Sequence, residues 1–186
     1  RAARGIERVD LLAGADGQRA FLGLADKVGR SRVHFAGGGL VVGGHVGRRA
    51  AVSDTGYLTL IDDCYNANPD SMKSGVDSLL RLPGRHVCIL GDMLELGDYS
   101  ETAHREVGKY AAKKKIDVLY AFGEQSKYIA EEAKKGVGKV LWFDDKAQLA
   151  KTLVQDVKSG DCVLFKASRG MKLEEIIEKL YEGLEK

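Results

Sequence analysis

The stretch Leu58-Thr59-Leu60-Ile61-Asp62-Asp63-Cys64-Tyr65-Asn66-Ala67-Asn68-Pro69-Asp70-Ser71-Met72 reads as a strand that turns into a helix. Its first four residues form a short run, apolar but for the β-branched Thr59, which suits a strand covered on both faces rather than a half-exposed one. The helix that follows has a clear start. Asn68 can cap it, Pro69 suits its first turn, and Asp70 favours the positive end of the helix dipole. Met72, Val76, Leu79 and Leu80 then share one face at helical spacing.

The same unit recurs downstream. Apolar runs rich in β-branched and aromatic residues stand at 87–90, 118–122, 140–143 and 162–165. Helical stripes accompany them: Ala103, Val107, Tyr110 and Ala111; Leu149, Leu153 and Val157; Leu173, Ile176, Ile177, Leu180 and Leu184. Ser100 is placed to cap the first of these three. Strand–helix alternation with right-handed crossovers predicts an α/β, Rossmann-like domain, a mostly parallel sheet with helices on both faces.

In such a sheet, ligands sit beyond the carboxyl ends of the strands. There the sequence places Asp62, Asp63, Tyr65, Asn66 and Asn68 after the first strand, then Gly91, Asp92 and Glu95 after the second. Gly123 and Glu124 follow the third strand, and Asp144 and Asp145 follow the fourth, where either acid simply caps the next helix. The turn Lys166-Ala167-Ser168-Arg169-Gly170 is different. It crowds two cations, a hydroxyl and a glycine into a strand-to-helix junction where backbone amides also favour anions, and it predicts a bound carboxylate or phosphate.

Other chemistries lack their residues. No GxxxxGK[ST] loop occurs; residues 38–45 resemble one but lack the Lys and Ser/Thr, and read as a flexible or strand-turn segment. A GxGxxG fingerprint is also missing. His34, His45, His86 and His104 show no ligand spacing, no metal site is expected, and His104 reads as a surface or boundary residue of its helix. Lys113-Lys114-Lys115 reads as a solvated helix end favoured by the dipole. Cys64, Cys88 and Cys162 lie far apart, which argues against a disulfide framework or zinc and for a cytoplasmic protein. No apolar run approaches the ~18–20 residues of a membrane span, and residues 1–15 lack the stretch of a secretory signal. A net charge of +2 makes no case for nucleic acid or membrane binding. With no nucleophile–base pair evident, a complete active site is not expected.

The average charge hides a break. Residues 1–52 carry eight Arg, one Lys, four acids and eleven of the 23 Gly, a net charge of +5. Residues 53–186 carry four Arg, sixteen Lys and 23 acids, a net charge of −3. The first part is an atypical Arg/Gly-rich segment, open to reading as a fusion, a frame error or a remnant hinge. The second part, 53–186, is the domain.

Four stretches within 53–186 give this domain a family likeness: residues 60–72 quoted above, Ile89-Leu90-Gly91-Asp92-Met93-Leu94-Glu95-Leu96-Gly97, His104-Arg105-Glu106-Val107-Gly108, and Lys166-Ala167-Ser168-Arg169-Gly170-Met171. In this order they resemble the C-terminal domain of the Mur ligases, although the family usually has Gly where Ala167 stands. The resemblance points to the branch that adds D-alanyl-D-alanine to UDP-N-acetylmuramoyl-tripeptide in peptidoglycan precursor synthesis. It implies three domains: one for the UDP moiety, a central one with the P-loop, and a C-terminal one that delivers the amine. It implies ATP and Mg2+ for the full-length enzyme and neither held by this chain alone. As partners it implies the two substrates and the central P-loop domain. Residue by residue, it implies nucleotide contacts for Asp63, toward the ribose, for Asn66, and for Arg48 of the Gly47-Arg48 hinge. It implies dipeptide contacts for Lys166, Ser168, Arg169, Asn68 and Asp92. By this reading the chain alone is inactive.

Two other classes compete. A response-regulator receiver domain also has paired acids, an acceptor Asp and a late Lys, which Asp62-Asp63, Asp92 and Lys166 imitate. Its acceptor strand needs two βα units after the paired acids, whereas Asp63 and Asp92 are 29 residues apart, room for one. The other class is a non-catalytic interaction module that keeps the Rossmann-like layer without working ligand loops.

Overall fold

A computed structural model describes residues 24–25, 31–36, 39–41 and 51–184, with side chains from 51 onward. Strands β1 (Leu24–Ala25), β2 (Ser31–Ala36), β3 (Gly39–Val41) and β4 (Ala51–Asp54) pair antiparallel, and β4 pairs antiparallel with β5 (Thr59–Asp63). Beyond β5 every pairing is parallel, through β6 (His86–Gly91), β7 (Val118–Phe122), β8 (Lys139–Phe143) and β9 (Cys162–Lys166). The order across this part is β4-β5-β9-β6-β7-β8. The five expected strands are the five parallel ones. β4 straddles the composition break at 52/53, and Gly39–Val41 gives part of the glycine-rich stretch a strand; Arg48 lies outside the described residues.

Topology decides where the helices go. The chain steps outward through β6, β7 and β8 using α1 (Pro69–Leu79), α2 (Ser100–Lys114) and α3 (Lys127–Ala133). It then reverses by α4 (Lys146–Asp156), inserts β9 between β5 and β6, and ends in α5 (Glu174–Leu184). Right-handed crossovers put helices on opposite faces when the direction of travel reverses. Accordingly, Cys88 and Leu90 of β6 and Leu164 of β9 pack in one core with Met72, Val76, Val107 and Ile129 of α1–α3. Their neighbours Val87, Ile89, Val163 and Phe165 pack in a second core with Leu149, Leu153, Ile176 and Leu180 of α4 and α5. Successive strand residues thus enter opposite cores, which is why the runs are continuously apolar.

Local signals met mixed outcomes. Asn68 caps α1 through a capping box: its Oδ1 accepts from the Ser71 N–H at 2.8 Å, and Ser71 Oγ accepts from the Asn68 N–H at 3.0 Å. Asp145 caps α4, accepting from the Gln148 N–H at 2.8 Å. Ser100 is not a cap. A 3-10 turn, Gly97–Tyr99, runs directly into α2, so Ser100 is already helical. At the helix end, Lys115 closes α2 in the left-handed region, while Lys114 pairs with Asp77 at 2.8 Å rather than being simply solvated.

Candidate functional site

Three adjacent strands, β5, β9 and β6, bring their carboxyl ends together, and with them the loops led by Asp63, Lys166 and Asp92. In register, Lys166 faces Asp63 on one side and Leu90 on the other. Its side chain turns inward. Lys166 is 1% exposed, its Nζ lies 2.5 Å from Asp63 Oδ2, and it donates to the Asn66 carbonyl at 3.2 Å. Gly75 of α1 makes room for it, since a Cβ there would sit 2.8 Å from Lys166 Cδ. Burial pushes the Asp63 carboxyl above the ordinary carboxylate range; Lys166 pulls it down and the neighbouring Asp62 adds to the rise.

The turn after β9 is seated by the loop after β6. The Ser168 N–H donates to the Asp92 carbonyl at 3.1 Å, and Ser168 Oγ accepts from the Leu94 N–H at 2.9 Å. A 3-10 turn, Arg169–Met171, then carries Arg169 outward, its guanidinium 5.5 Å over the Tyr65 ring. Arg169, Asp62, Asp63, Cys64, Tyr65 and Glu174 line a cavity of about 330 Å3 at this edge. Cys64 is an inert lining residue, its thiol pushed far up by burial and by Asp62.

Three expected substrate contacts have other duties. Lys166 does not stand beside Arg169 as a second open cation, because Asp63 and Asn66 occupy its ammonium. Asp92 is 5% exposed and holds the turn before α3: Oδ1 accepts from the Ser126 N–H at 2.7 Å and Oδ2 from the Gln125 N–H at 3.2 Å. Gly123, at φ +113°, permits this, as a Cβ would lie 2.6 Å from the carboxylate. Asn68 spends its carbonyl on the cap of α1. Ser168, Arg169, Asp63 and Asn66 do meet around one edge. Among the described residues, no group of three His, Cys, Asp or Glu could hold a metal ion, and no helix is long and apolar enough to cross a membrane.

His104 is not the surface or boundary residue that its helix position suggests. It is 0% exposed, with Nε2 3.0 Å from the Met93 amide nitrogen and Nδ1 2.7 Å from the Ser100 carbonyl oxygen. The Met93 contact crosses to another loop, so no local pattern signals it. In the sequence Tyr65 is one loop residue among several; its stacking with Arg169 depends on two loops meeting.

The parallel sheet and its acid–lysine edge define the class. Residues 47–169 match the family model for the Mur ligase glutamate ligase domain, and the chain belongs to the Mur ligase family. It is 43% identical over 135 residues to the UDP-N-acetylmuramoyl-tripeptide–D-alanyl-D-alanine ligase of Bacillus subtilis, covering 70% of this chain and 29% of that protein. The Escherichia coli enzyme of the same name is 38% identical over 126 residues, covering 67% and 27%. The fold matches that of MurF from Thermotoga maritima in complex with ADP at a TM-score of 0.63 and 34% identity, covering 72% and 30%. A MurF structure from Acinetobacter baumannii matches at a TM-score of 0.65 and 30% identity, covering 70% and 30%. The chain therefore spans under a third of the length of these relatives.

Proposed function

We propose that this chain is the C-terminal, amine-delivering part of a cytoplasmic, ATP-dependent ligase that joins D-alanyl-D-alanine to UDP-N-acetylmuramoyl-tripeptide. The observation that carries the reading is the meeting of Asp63–Lys166 with the Ser168–Arg169 turn at one open sheet edge. Its similarity to the D-alanyl-D-alanine ligases supports the choice of substrate. In this chemistry ATP converts the tripeptide carboxylate to an acyl phosphate. The dipeptide amine then attacks the carbonyl carbon, forming the C–N bond as phosphate leaves and the nitrogen gives up a proton. In such a ligase the ATP phosphates and Mg2+ fall to the central P-loop domain.

This chain's residues bind and orient. Arg169 grips the dipeptide carboxylate, a planar anion that a guanidinium can hold with two hydrogen bonds. Tyr65 holds the guanidinium in place from below. Lys166 acts through Asp63, fixing the carboxylate that meets the nucleotide ribose, with Asn66 alongside. Ser168 ties the turn to the loop after β6. Holding the amine in an attack geometry is where such a domain lowers the barrier.

The test is a reconstitution. A full-length ligase containing these residues should release phosphate only when the tripeptide nucleotide, ATP and D-alanyl-D-alanine are all present. The 186-residue chain alone should neither hydrolyse ATP nor form the amide. Dipeptide-independent turnover by the full-length protein, or amide formation by the chain alone, contradicts the reading.

A further inference from the structure

His104 lies outside the open edge yet touches the loop that seats it. A backbone N–H can only donate, so the Met93 amide, 3.0 Å from Nε2, requires that nitrogen to be unprotonated. A carbonyl oxygen can only accept, so the Ser100 oxygen, 2.7 Å from Nδ1, requires the proton there. Both partners are satisfied by one species alone, the neutral ring protonated at Nδ1. An imidazolium would point a second N–H at the Met93 amide.

The next residues carry the consequence onward. Met93 is flanked by Asp92, whose carbonyl accepts from the Ser168 N–H, and by Leu94, whose N–H donates to Ser168 Oγ. Gly170 closes against Leu94, where a Cβ would lie 2.8 Å from Leu94 Cδ1. The loop 92–94 is thus held from α2 by one imidazole and in turn holds both sides of the residue before Arg169. We infer that His104, as the neutral Nδ1–H tautomer, is the positioning residue that sets the Ser168–Arg169 turn.

The surroundings keep the ring neutral. Burial lowers its pKa below that of free imidazole, outweighing the Ser100 carbonyl on α2 and the Asp92 carboxylate on the facing loop, which both favour the proton. From the turn before α3, Gln125 Oε1 accepts from Ser100 Oγ, while Arg105, next along α2, is turned toward Glu101, Glu131 and Glu132. An unfolded histidine takes up its proton near 6.5 and this one only at lower pH, so its contribution to stability is full above 6.5 and fades as the pH falls below it.

The positioning role in substrate use rests on the proposed function; the tautomer and the seating of the turn do not. The first measurement is the ring nitrogen spectrum of His104 in 15N-labelled chain. It should show a protonated Nδ1 and a bare Nε2 at pH 7.5, with the ring still neutral as the pH falls through 6.5. An Nε2–H tautomer, or titration at the ordinary value, overturns the inference without any variant. The second is amide exchange in His104→Gln, whose side-chain oxygen can still accept, and in His104→Leu, which cannot. The Leu variant should exchange at Leu94 and Ser168 more than tenfold faster than wild type, with β6 amides unchanged and the Gln variant close to wild type. Equal acceleration in β6 would make His104 a purely structural residue and overturn the inference. In the full-length ligase, His104→Leu should raise KM for the dipeptide at least fivefold with a smaller effect on kcat. If exchange behaves as stated while dipeptide KM does not move, the seating role stands and the assignment of the turn to the dipeptide fails.

Discussion

Lys166 shows what a single residue reveals in sequence and what it hides. Its type and place beside Ser168 and Arg169 mark an anion-facing turn. Its partner Asp63 is 103 residues away, so the ion pair is invisible until the two strands lie side by side. A lysine 2% exposed at its side chain depends on that partner. Asp63→Asn should cost about 3 kcal/mol in denaturant unfolding, because it strands a buried ammonium. Adding Lys166→Met should restore most of the loss, since replacing a buried pair by apolar groups is often neutral. Gly75 carries a linked expectation. Alanine is the better helix former, yet its methyl would meet the lysine stem at 2.8 Å, so Gly75→Ala should destabilise by roughly 1–3 kcal/mol. An unchanged melting temperature would mean that the stem moves aside freely.

At the scale of elements, the five parallel strands were legible because two-sided burial leaves a continuous apolar run. α3 was not. Its seven residues bury Ile129, Ala130 and Ala133 together with a charged residue, Glu132, so its apolar stripe is thin and mostly alanine. β4 escaped for a related reason: of its four residues only Val52 is fully buried, too little to form a run. Starts were legible where a side chain does the capping, as with Asn68 and Asp145, and misread at Ser100, where a 3-10 turn supplies the entry. Asn68→Ala should therefore lower stability by about 1 kcal/mol, with the loss read as earlier urea unfolding. Ser100→Ala should not carry a capping penalty of that size, because Ser100 makes no capping bond. A comparable loss in both would remove the distinction between them.

For the whole molecule, the sheet order is what turns scattered loop residues into a site. Inserting β9 between β5 and β6 puts the three loops with acid, lysine and arginine at neighbouring strand ends, as the fold rule anticipates. Which of those side chains face outward was not legible. That division depends on Asp92 accepting from the Gln125 and Ser126 N–H groups ahead of α3 and on the groove that Gly75 opens in α1, both products of packing. The result is an edge with one outward guanidinium, Arg169, over Tyr65, and one inward ammonium, Lys166, on Asp63. The most direct test of this division is dipeptide saturation in a full-length ligase carrying Arg169→Ala. The assignment predicts a loss in kcat/KM for D-alanyl-D-alanine of more than tenfold, about 1.4 kcal/mol or more, with little change in apparent ATP affinity. Loss of ATP affinity with dipeptide saturation unchanged would contradict it.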